Sequence, residues 1–248
     1  MRITYIGHSG FFVETESAAF LFDYYQGGIP ALPEKKKCFV FVSHKHPDHY
    51  QRAIFEWEER GMPVFYILSK DVRRDVEKFV LPAEKQNGRT AAKELRLEDR
   101  ISYVKPGQEL EIADCKIRTL RSTDEGVAYV IWYQGQTMYH AGDLNAWCWE
   151  EEGERYCAQM RRDYEGEIRK MKKGPVDVAF VPVDPRLGEQ YVSGLDFFMR
   201  EVGAKAVFPM HFWGDYGIFE RLQRENCTKE YRDRIMEIQR EGQVFEVS

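Results

Sequence analysis

One short segment constrains the fold of this chain more than any other, because it places four potential metal ligands directly after a run of apolar residues. Residues 38–42 are all apolar and predict a buried strand. His44, His46, Asp48 and His49 follow at once. Imidazole nitrogen and carboxylate oxygen suit zinc and its borderline neighbours, whereas such a cluster fills a core poorly. We therefore predict a metal site at the end of this strand.

The spacing within the segment divides the ligands into two sets. His44 and His46 are two residues apart, so in extended chain they point to the same side and can bind one ion. Pro47 then redirects the backbone, which allows Asp48 and His49 to face a second ion. The alternative interpretation, a solvated turn that happens to be rich in histidine, is disfavoured.

The pattern His-x-His-x-Asp-His after a hydrophobic strand resembles the signature of the metallo-β-lactamase superfamily. Other segments resemble further family motifs in the family's order, from residue 3 to residue 213. Residues 5–11 are similar to the opening of the branch related to ascorbate-6-phosphate lactonases. The other segments that resemble family motifs are residues 20–23, 139–143 and 208–212.

This resemblance implies an α/β (α+β) fold, the four-layer αβ/βα sandwich with two mixed sheets flanked by helices. The order of elements agrees, since short strands come first and strands mixed with helices follow. We predict one domain over residues 1–248, with a helical insertion at residues 150–173 that covers the site. The patterns also predict a helix started by a capping box at Ser193 and Asp196, and a terminal amphipathic helix over residues 228–241.

The resemblance also implies which residues bind metal. It assigns His44 and His46 to a first ion, and Asp48, His49 and His211 to a second. Asp143 would bridge the two ions.

One family ligand is absent, because residues 115–126 contain no histidine where the family usually has one. We predict that Asp124 replaces it, since a hairpin turn at residues 134–135 would place residue 126 opposite Asp143. Ser122 is a weaker substitute, and the remaining alternative is a site that works with a single ion.

The predicted chemistry is hydrolysis. Three protein ligands per ion leave a position open for water, and the ions would lower the pKa of that water towards neutrality and polarise the substrate oxygen. We predict a small ester, lactone, amide or phosphoester as substrate, and one or two zinc ions as cofactor, with manganese or iron as alternatives. Asp48 would both ligate a metal and orient the hydroxide.

Further residues are predicted to line the pocket or to support the ligands. His8 is a candidate catalytic residue at the mouth of the site, and Asp23 would orient a metal-bound histidine. His140 faces away from Asp143 on strand parity and is a supporting or core residue. Asp184 and Arg186 follow a strand end, where the arginine could bind a phosphate or carboxylate. Trp147 and Trp149 could line an apolar pocket, although the favoured interpretation is that they pack under the helical insertion.

Composition limits the partners. The net charge is −5 and the charges are scattered, so nucleic acid is an unfavoured partner and a small molecule the expected one. No apolar run is long enough to cross a membrane, and no signal segment opens the chain. Five cysteines without paired spacing predict free thiols in the cytoplasm. A homo-oligomer is compatible with the sequence.

Two alternative functions stay open. One is a phosphodiesterase or RNA-processing nuclease, and the other is a non-catalytic metal-binding module that has lost one ligand.

Overall fold

The computed structural model describes residues 1–28, 31, 36–60, 64–80, 96–171 and 174–247. The chain divides into two compact units. Unit 1 comprises Met1–Lys105 with Val244–Ser248, and unit 2 comprises Pro106–Gln243. The prediction of a single domain stays a prediction.

Unit 1 is built on a mixed sheet with the strand order β13-β1-β2-β3-β4-β5-β6. Strands β3 to β6 pair in parallel, and β13, β1 and β2 pair antiparallel at the other end. The predicted early strands are confirmed. The strands are β1 Arg2–Gly7, β2 Gly10–Glu14, β3 Ala18–Phe22, β4 Lys37–Val42, β5 Val64–Ser69, β6 Ile101–Val104 and β13 Val244–Glu246.

The helical segments of unit 1 are short, and they pack on its sheet through apolar side chains. Ile54 and Trp57, which are fully buried, join a cluster with the sheet residues Val40 and Tyr66. Burial of side chains of this size stabilises the fold by about 1.5–3 kcal/mol each. The segments are the 3-10 helices Arg52–Arg60, Lys70–Val72 and Leu97–Arg100, the α-helical turn α1 Arg73–Asp75, and the π-helical turn Val76–Val80.

Unit 2 contains the second mixed sheet, with the strand order β12-β11-β10-β9-β8-β7. Strands β10, β11 and β12 pair in parallel, and the others form an antiparallel meander. The strands are β7 Glu109–Ile112, β8 Cys115–Arg121, β9 Val127–Tyr133, β10 Gln136–His140, β11 Val176–Pro182 and β12 Ala204–Met210. The helices are α2 Glu154–Ile168, α3 Ser193–Glu201 and α4 Ile218–Arg224, with 3-10 helices at Pro185–Gln190, Cys227–Glu230 and Arg232–Arg234.

The predicted β9–β10 hairpin is confirmed in register. Gln136 pairs with Tyr133 and His140 with Tyr129, so the same register extended by three residues would set residue 143 opposite residue 126. In agreement, the hydroxyl of Thr123 donates to the backbone oxygen of Asp143 at 3.4 Å. The segment that follows β8 therefore lies beside Asp143, as the sequence predicted.

The helix predicted over residues 228–241 is wrong, whereas the helix predicted from Ser193 is confirmed as α3 but without its capping box. The helix over residues 228–241 is replaced by two short 3-10 turns, after which Ile235 forms a parallel bridge with Val207 of β12. Tertiary pairing with the sheet thus outweighs the helical periodicity of this segment. The capping box of α3 also does not form, because Asp196 accepts hydrogen bonds from Arg200 and Tyr231 instead.

Helix α2 lies within the predicted insertion, and a disulfide holds its first turn. That the insertion covers the site stays a prediction. Cys148 is bonded to Cys157, which corrects the expectation that all five cysteines are free thiols. The turn between the two residues brings the start of the helix back against residue 148, a contact that sequence spacing does not show. Cys38 and Cys115 are free and buried, and burial raises the pKa of both thiols to about 12.

Replacing both Cys148 and Cys157 with serine is expected to lower the free energy of unfolding by about 2–3 kcal/mol, because the closed loop is short and its closure restricts the unfolded chain. Urea unfolding followed by fluorescence measures the change. The reductant-treated parent serves as the control and should lose the same amount, while reductant should leave the double variant unchanged. Equal stability of parent and variant without reductant would contradict this expectation.

Candidate metal-binding residues

In unit 1, the candidate ligands lie in the loop that follows β4. Because β4 lies between β3 and β5 in the parallel part of the sheet, its carboxyl end is the place where ligands bind in sheets of this kind. His44 and His49 are fully buried, whereas His46 and Asp48 are partly exposed. The loop turns back on itself through hydrogen bonds from the backbone of His49 and Tyr50 to the oxygen of His46. The turn brings the two ends of the motif together.

Asp23 organises this loop from the neighbouring strand. It directly follows β3 and is fully buried. Its carboxylate accepts hydrogen bonds from the backbone nitrogen of Ser43 at 2.7 Å, the Ser43 hydroxyl at 2.6 Å and Nδ1 of His49 at 2.7 Å. An ionised carboxylate only accepts, so Nδ1 of His49 carries the proton and the lone pair is on Nε2. This is how a metal-binding histidine is commonly oriented.

His8 and Asp48 complete the first group of ligand atoms. Nε2 of His8 lies 3.3 Å from Oδ2 of Asp48, and the ligand atoms of His8, Asp48 and His49 all lie within 4.8 Å of one another. Those of His44 and His46 also lie within 4.8 Å of one another. Sequence reasoning gave His8 a role in the pocket, and the structure shows in addition that its imidazole nitrogen is placed as a ligand would be.

The charge state of Asp48 follows from its surroundings. Burial alone would raise the pKa of Asp48, but the neighbouring imidazoles of His8 and His49 outweigh burial and hold the pKa well below its usual range. Asp48 is therefore ionised at neutral pH. An ionised carboxylate beside imidazole nitrogens is a donor set that fits a divalent cation.

Unit 2 repeats the same arrangement with other residues. Asp143 lies three residues beyond β10 and His211 directly follows β12, and Nε2 of His211 is 3.3 Å from Oδ1 of Asp143. Asp184, two residues beyond β11, accepts from Nδ1 of His211 at 3.1 Å. A buried carboxylate thus fixes the tautomer of this histidine as Asp23 does for His49.

Asp184 has further partners, which give it a larger role than the sequence predicted. Its carboxylate also accepts from Nε1 of Trp213 at 3.2 Å and from Nη2 of Arg186 at 2.6 Å. Burial opposes ionisation, but the hydrogen bonds from His211 and Arg186 hold the pKa of Asp184 well below its usual range. Trp213 was missed at the sequence level, because its role depends on where the chain turns after His211.

The structure places the other predicted residues outside these groups. Asp124 is exposed, and among the described residues no group of three or more ligand atoms within 4.8 Å includes it. The hydroxyl of Ser122 accepts from the backbone nitrogen of Asp124 at 3.1 Å. His140 is buried, and its Nδ1 accepts from the backbone nitrogen of Gly142 at 3.2 Å. The role of Asp124 as the replacement ligand stays a prediction.

The backbone is strained at two candidate ligands and at two residues that contact the carboxylate–histidine pairs or belong to them. His8, Asp23, His211 and Trp213 have φ values of 51°, 39°, 67° and 54°, in the left-handed region that residues other than glycine rarely adopt. At His8 the strain accompanies a register shift between β1 and β2. Strained residues persist where the surrounding structure imposes them, and they cluster at functional sites.

The comparisons with known proteins agree with this description. The family model of the beta-lactamase superfamily domain matches residues 2–211, and the chain belongs to this superfamily. Its two mixed sheets with their helices confirm the predicted metallo-β-lactamase fold class. Among the described residues, no helix is long and apolar enough to cross a membrane.

Similar proteins carry related names. A UPF0173 metal-dependent hydrolase of Opitutus terrae is 25% identical over 232 residues, which are 86% of this chain and 85% of that protein. Another, from Cereibacter sphaeroides, is 34% identical over 71 residues, or 26% of this chain, and the match spans only 31% of that relative's own length. The structure of a metallo hydrolase from Ignicoccus hospitalis has a TM-score of 0.60 at 17% identity, covering 100% of this chain and 99% of that one. At that identity the likeness concerns the fold alone.

Replacing Asp23 with asparagine is expected to weaken zinc binding about 10–100-fold, because an amide supports the Nδ1 proton of His49 less well than a carboxylate. Competition against a chromogenic chelator measures the affinity. Asp177→Asn is a matched control, since Asp177 also accepts from a backbone nitrogen (Thr137, 2.7 Å) but contacts no candidate ligand. Unchanged affinity in Asp23→Asn would show that this carboxylate does not position a ligand.

Proposed function

We propose that this chain is a metal-dependent hydrolase of the metallo-β-lactamase superfamily that acts on a small ester, lactone, amide or phosphoester. The observation that carries the proposal is the repeated carboxylate–histidine pair, Asp23 with His49 and Asp184 with His211. In both pairs the carboxylate binds Nδ1 and leaves Nε2 as the ligand atom. A purely structural histidine does not require this arrangement twice.

The proposed ligands are five imidazoles and two carboxylates. Imidazole and carboxylate donors without thiolate suit zinc, manganese or iron, and zinc is the first candidate because histidine dominates the set. His8 joins the set proposed from the sequence because of its position beside Asp48. The proposed ligands are His8, His44, His46, Asp48, His49, Asp143 and His211.

Bound metal would acidify a water molecule and polarise the oxygen of the substrate. The chain's own residues perform the remaining tasks. Asp48 is ionised at neutral pH, so its carboxylate can accept a hydrogen bond from the attacking water and orient it. Asp23 and Asp184 keep the histidines in one tautomer. In the overall reaction with an ester, the water oxygen bonds to the carbonyl carbon, the bond to the alkoxy oxygen breaks, and the leaving alcohol takes a proton.

The names of the similar proteins support the hydrolase assignment, because the relatives from Opitutus terrae and Cereibacter sphaeroides are both called metal-dependent hydrolases. A small-molecule substrate, not a nucleic acid, is proposed on the net charge of −5. A cytoplasmic location also remains a proposal, and the Cys148–Cys157 disulfide weighs against a strongly reducing compartment.

A panel of chromogenic substrates tests the proposal. Protein stripped with a chelator and then reloaded with zinc, manganese or iron(II) is assayed on a p-nitrophenyl ester, a lactone and bis(p-nitrophenyl) phosphate. We expect hydrolysis that is lost on stripping and restored by one of the metals, and that is absent from an Asp143→Asn variant. Activity on the phosphodiester alone would favour the phosphodiesterase alternative. Metal binding without hydrolysis of any substrate would favour the non-catalytic module.

A further inference from the structure

We propose that a small cavity in unit 2 binds an uncharged aryl group of the substrate, which makes aryl-substituted esters or lactones the substrate class. This inference rests on the proposed hydrolase function and specifies it. The cavity has a volume of about 160 Å³ and is here called the tryptophan pocket. The lining residues used below are Trp147, Trp149, Tyr156, Met160, Asp124 and Arg186.

The shape and lining of the tryptophan pocket suit a flat ring. Trp147 and Trp149 are nearly parallel, with ring centroids 5.9 Å apart and an interplanar angle of 6°. Aromatic groups pack favourably against such rings, by offset stacking or edge to face. Helix α2 contributes Tyr156 and Met160, and a thioether also packs well against an aromatic ring. An enclosed apolar cavity of about 150 Å³ is known to accept benzene, so the volume of this more open pocket has room for a phenyl group.

The charges around the pocket favour a neutral group over an anion. Arg186 is engaged by the carboxylate of Asp184 through Nε and Nη2, so its charge is already matched. Its guanidinium carbon lies 5.4 Å from the Trp149 ring and 4.5 Å from the Trp213 ring. Arg186 thus acts as a planar part of the wall. The sequence-based prediction that it binds a phosphate or carboxylate is the less favoured role.

Carboxylates at the pocket add to this preference. Asp124 lines the pocket and is exposed. Burial, then the charges of Glu152 and Asp124, raise the pKa of the Tyr156 phenol. A carboxylate or sulfonate on the aryl ring would meet a negative potential here.

The tryptophan pocket adjoins the two candidate ligands of unit 2. Nε1 of Trp147 donates to the backbone oxygen of Asp143 at 2.8 Å, and the Trp147 ring lies edge-on to His211 with centroids 5.3 Å apart. The indole of Trp147 therefore lies between the pocket and both candidate metal ligands, Asp143 and His211. An aryl group bound in the pocket would hold the attached ester or lactone close to the side chains that are proposed to carry the metal.

The walls of the pocket are also fixed relative to each other. The Cys148–Cys157 disulfide joins the loop that carries both tryptophans to the first turn of α2, which carries Tyr156. A pocket held in its binding shape loses less entropy when a ligand enters it. The disulfide therefore helps to keep the pocket in one shape before a ligand binds.

Binding is tested first, without reference to catalysis. Saturation-transfer NMR titration with benzyl alcohol gives the dissociation constant for the parent, Trp149→Ala, Trp149→Phe and Trp132→Ala. Trp132 is the matched control, since its indole also lies under an arginine, with Arg118 Cζ 5.7 Å from the ring, but outside the pocket. We expect Trp149→Ala to weaken binding at least about tenfold, and the other two variants to bind like the parent. Equal binding by Trp149→Ala and the parent would overturn the proposal.

Hydrolysis is tested second, with two lactones that share the reacting ring. The kcat/KM for γ-phenyl-γ-butyrolactone should exceed that for γ-propyl-γ-butyrolactone at least about tenfold in the parent, and Trp149→Ala should abolish the preference. Hydrolysis of both lactones without a preference would overturn the aryl pocket and leave the hydrolase standing. Benzyl alcohol bound through Trp149, with no hydrolysis of any substrate, would support the pocket and contradict the hydrolase.

Discussion

Asp48→Asn is expected to lower kcat/KM by about 100- to 10,000-fold for any substrate that the protein hydrolyses, which is the usual contribution of a positioned acid–base group. The neighbouring imidazoles of His8 and His49 hold the carboxylate ionised. An amide of the same shape carries no charge to orient the attacking water and is a weaker ligand. Initial rates on the best substrate of the panel measure the effect.

The matched control for this variant lies beside the same loop. Asp71 accepts a hydrogen bond from the backbone nitrogen of Lys45 at 3.0 Å, but in the part of the chain that the structure describes it belongs to no group of three or more ligand atoms. Asp71→Asn should therefore keep kcat/KM close to that of the parent. A loss of equal size in both variants would indicate that the loop is sensitive to any change of charge, and that Asp48 has no special role.

Asp184→Ala is expected to lower the free energy of unfolding by about 1–3 kcal/mol, because it removes the acceptor of a hydrogen bond from the buried His211. His211, Trp213 and Arg186 all donate to this carboxylate. His211 is the buried donor of the three, and a buried donor left without its acceptor costs about 1–3 kcal/mol. Trp213 and Arg186 are half exposed, so water can replace the carboxylate as their acceptor. Urea unfolding gives the change. The same variant should bind less metal, since the tautomer of His211 is no longer fixed.

A surface carboxylate provides the comparison for Asp184. Glu220 pairs with Arg224 on α4, and their side chains are 68% and 77% exposed. Glu220→Ala should change the stability by less than about 1 kcal/mol, as is usual for exposed pairs. If Asp184→Ala lowered the free energy of unfolding by as little, the hydrogen bonds to this carboxylate would contribute little to stability. The proposed support of His211 by Asp184 would then be contradicted.

The sequence predicted the ligand-bearing strand ends because their signal is local. Apolar residues 38–42 followed by His44 define β4 and its loop without any knowledge of the rest of the fold. The hairpin that places residue 123 beside Asp143 was predicted for the same reason, since one turn sets its register.

Other features depend on contacts between segments that are distant in sequence, and these could not be predicted. The carboxylate of Asp184 is shared by three side chains that converge only after β11 and β12 pair. Residues 228–241 have the apolar periodicity of an amphipathic helix, but Ile235 pairs with Val207 of β12 instead. The stacked pair of Trp147 and Trp149 was visible in the sequence, but the pocket it forms required the position of α2.

Metal content per chain tests the central claim most directly. Protein purified without chelator is analysed by plasma mass spectrometry beside a variant in which His44, His46 and His49 are all alanine, and beside Asp124→Ala. We predict one or two equivalents of zinc, manganese or iron in the parent and none in the triple variant. A fall by one equivalent in Asp124→Ala would identify the replacement ligand. A parent that holds no more metal than the triple variant would contradict the account.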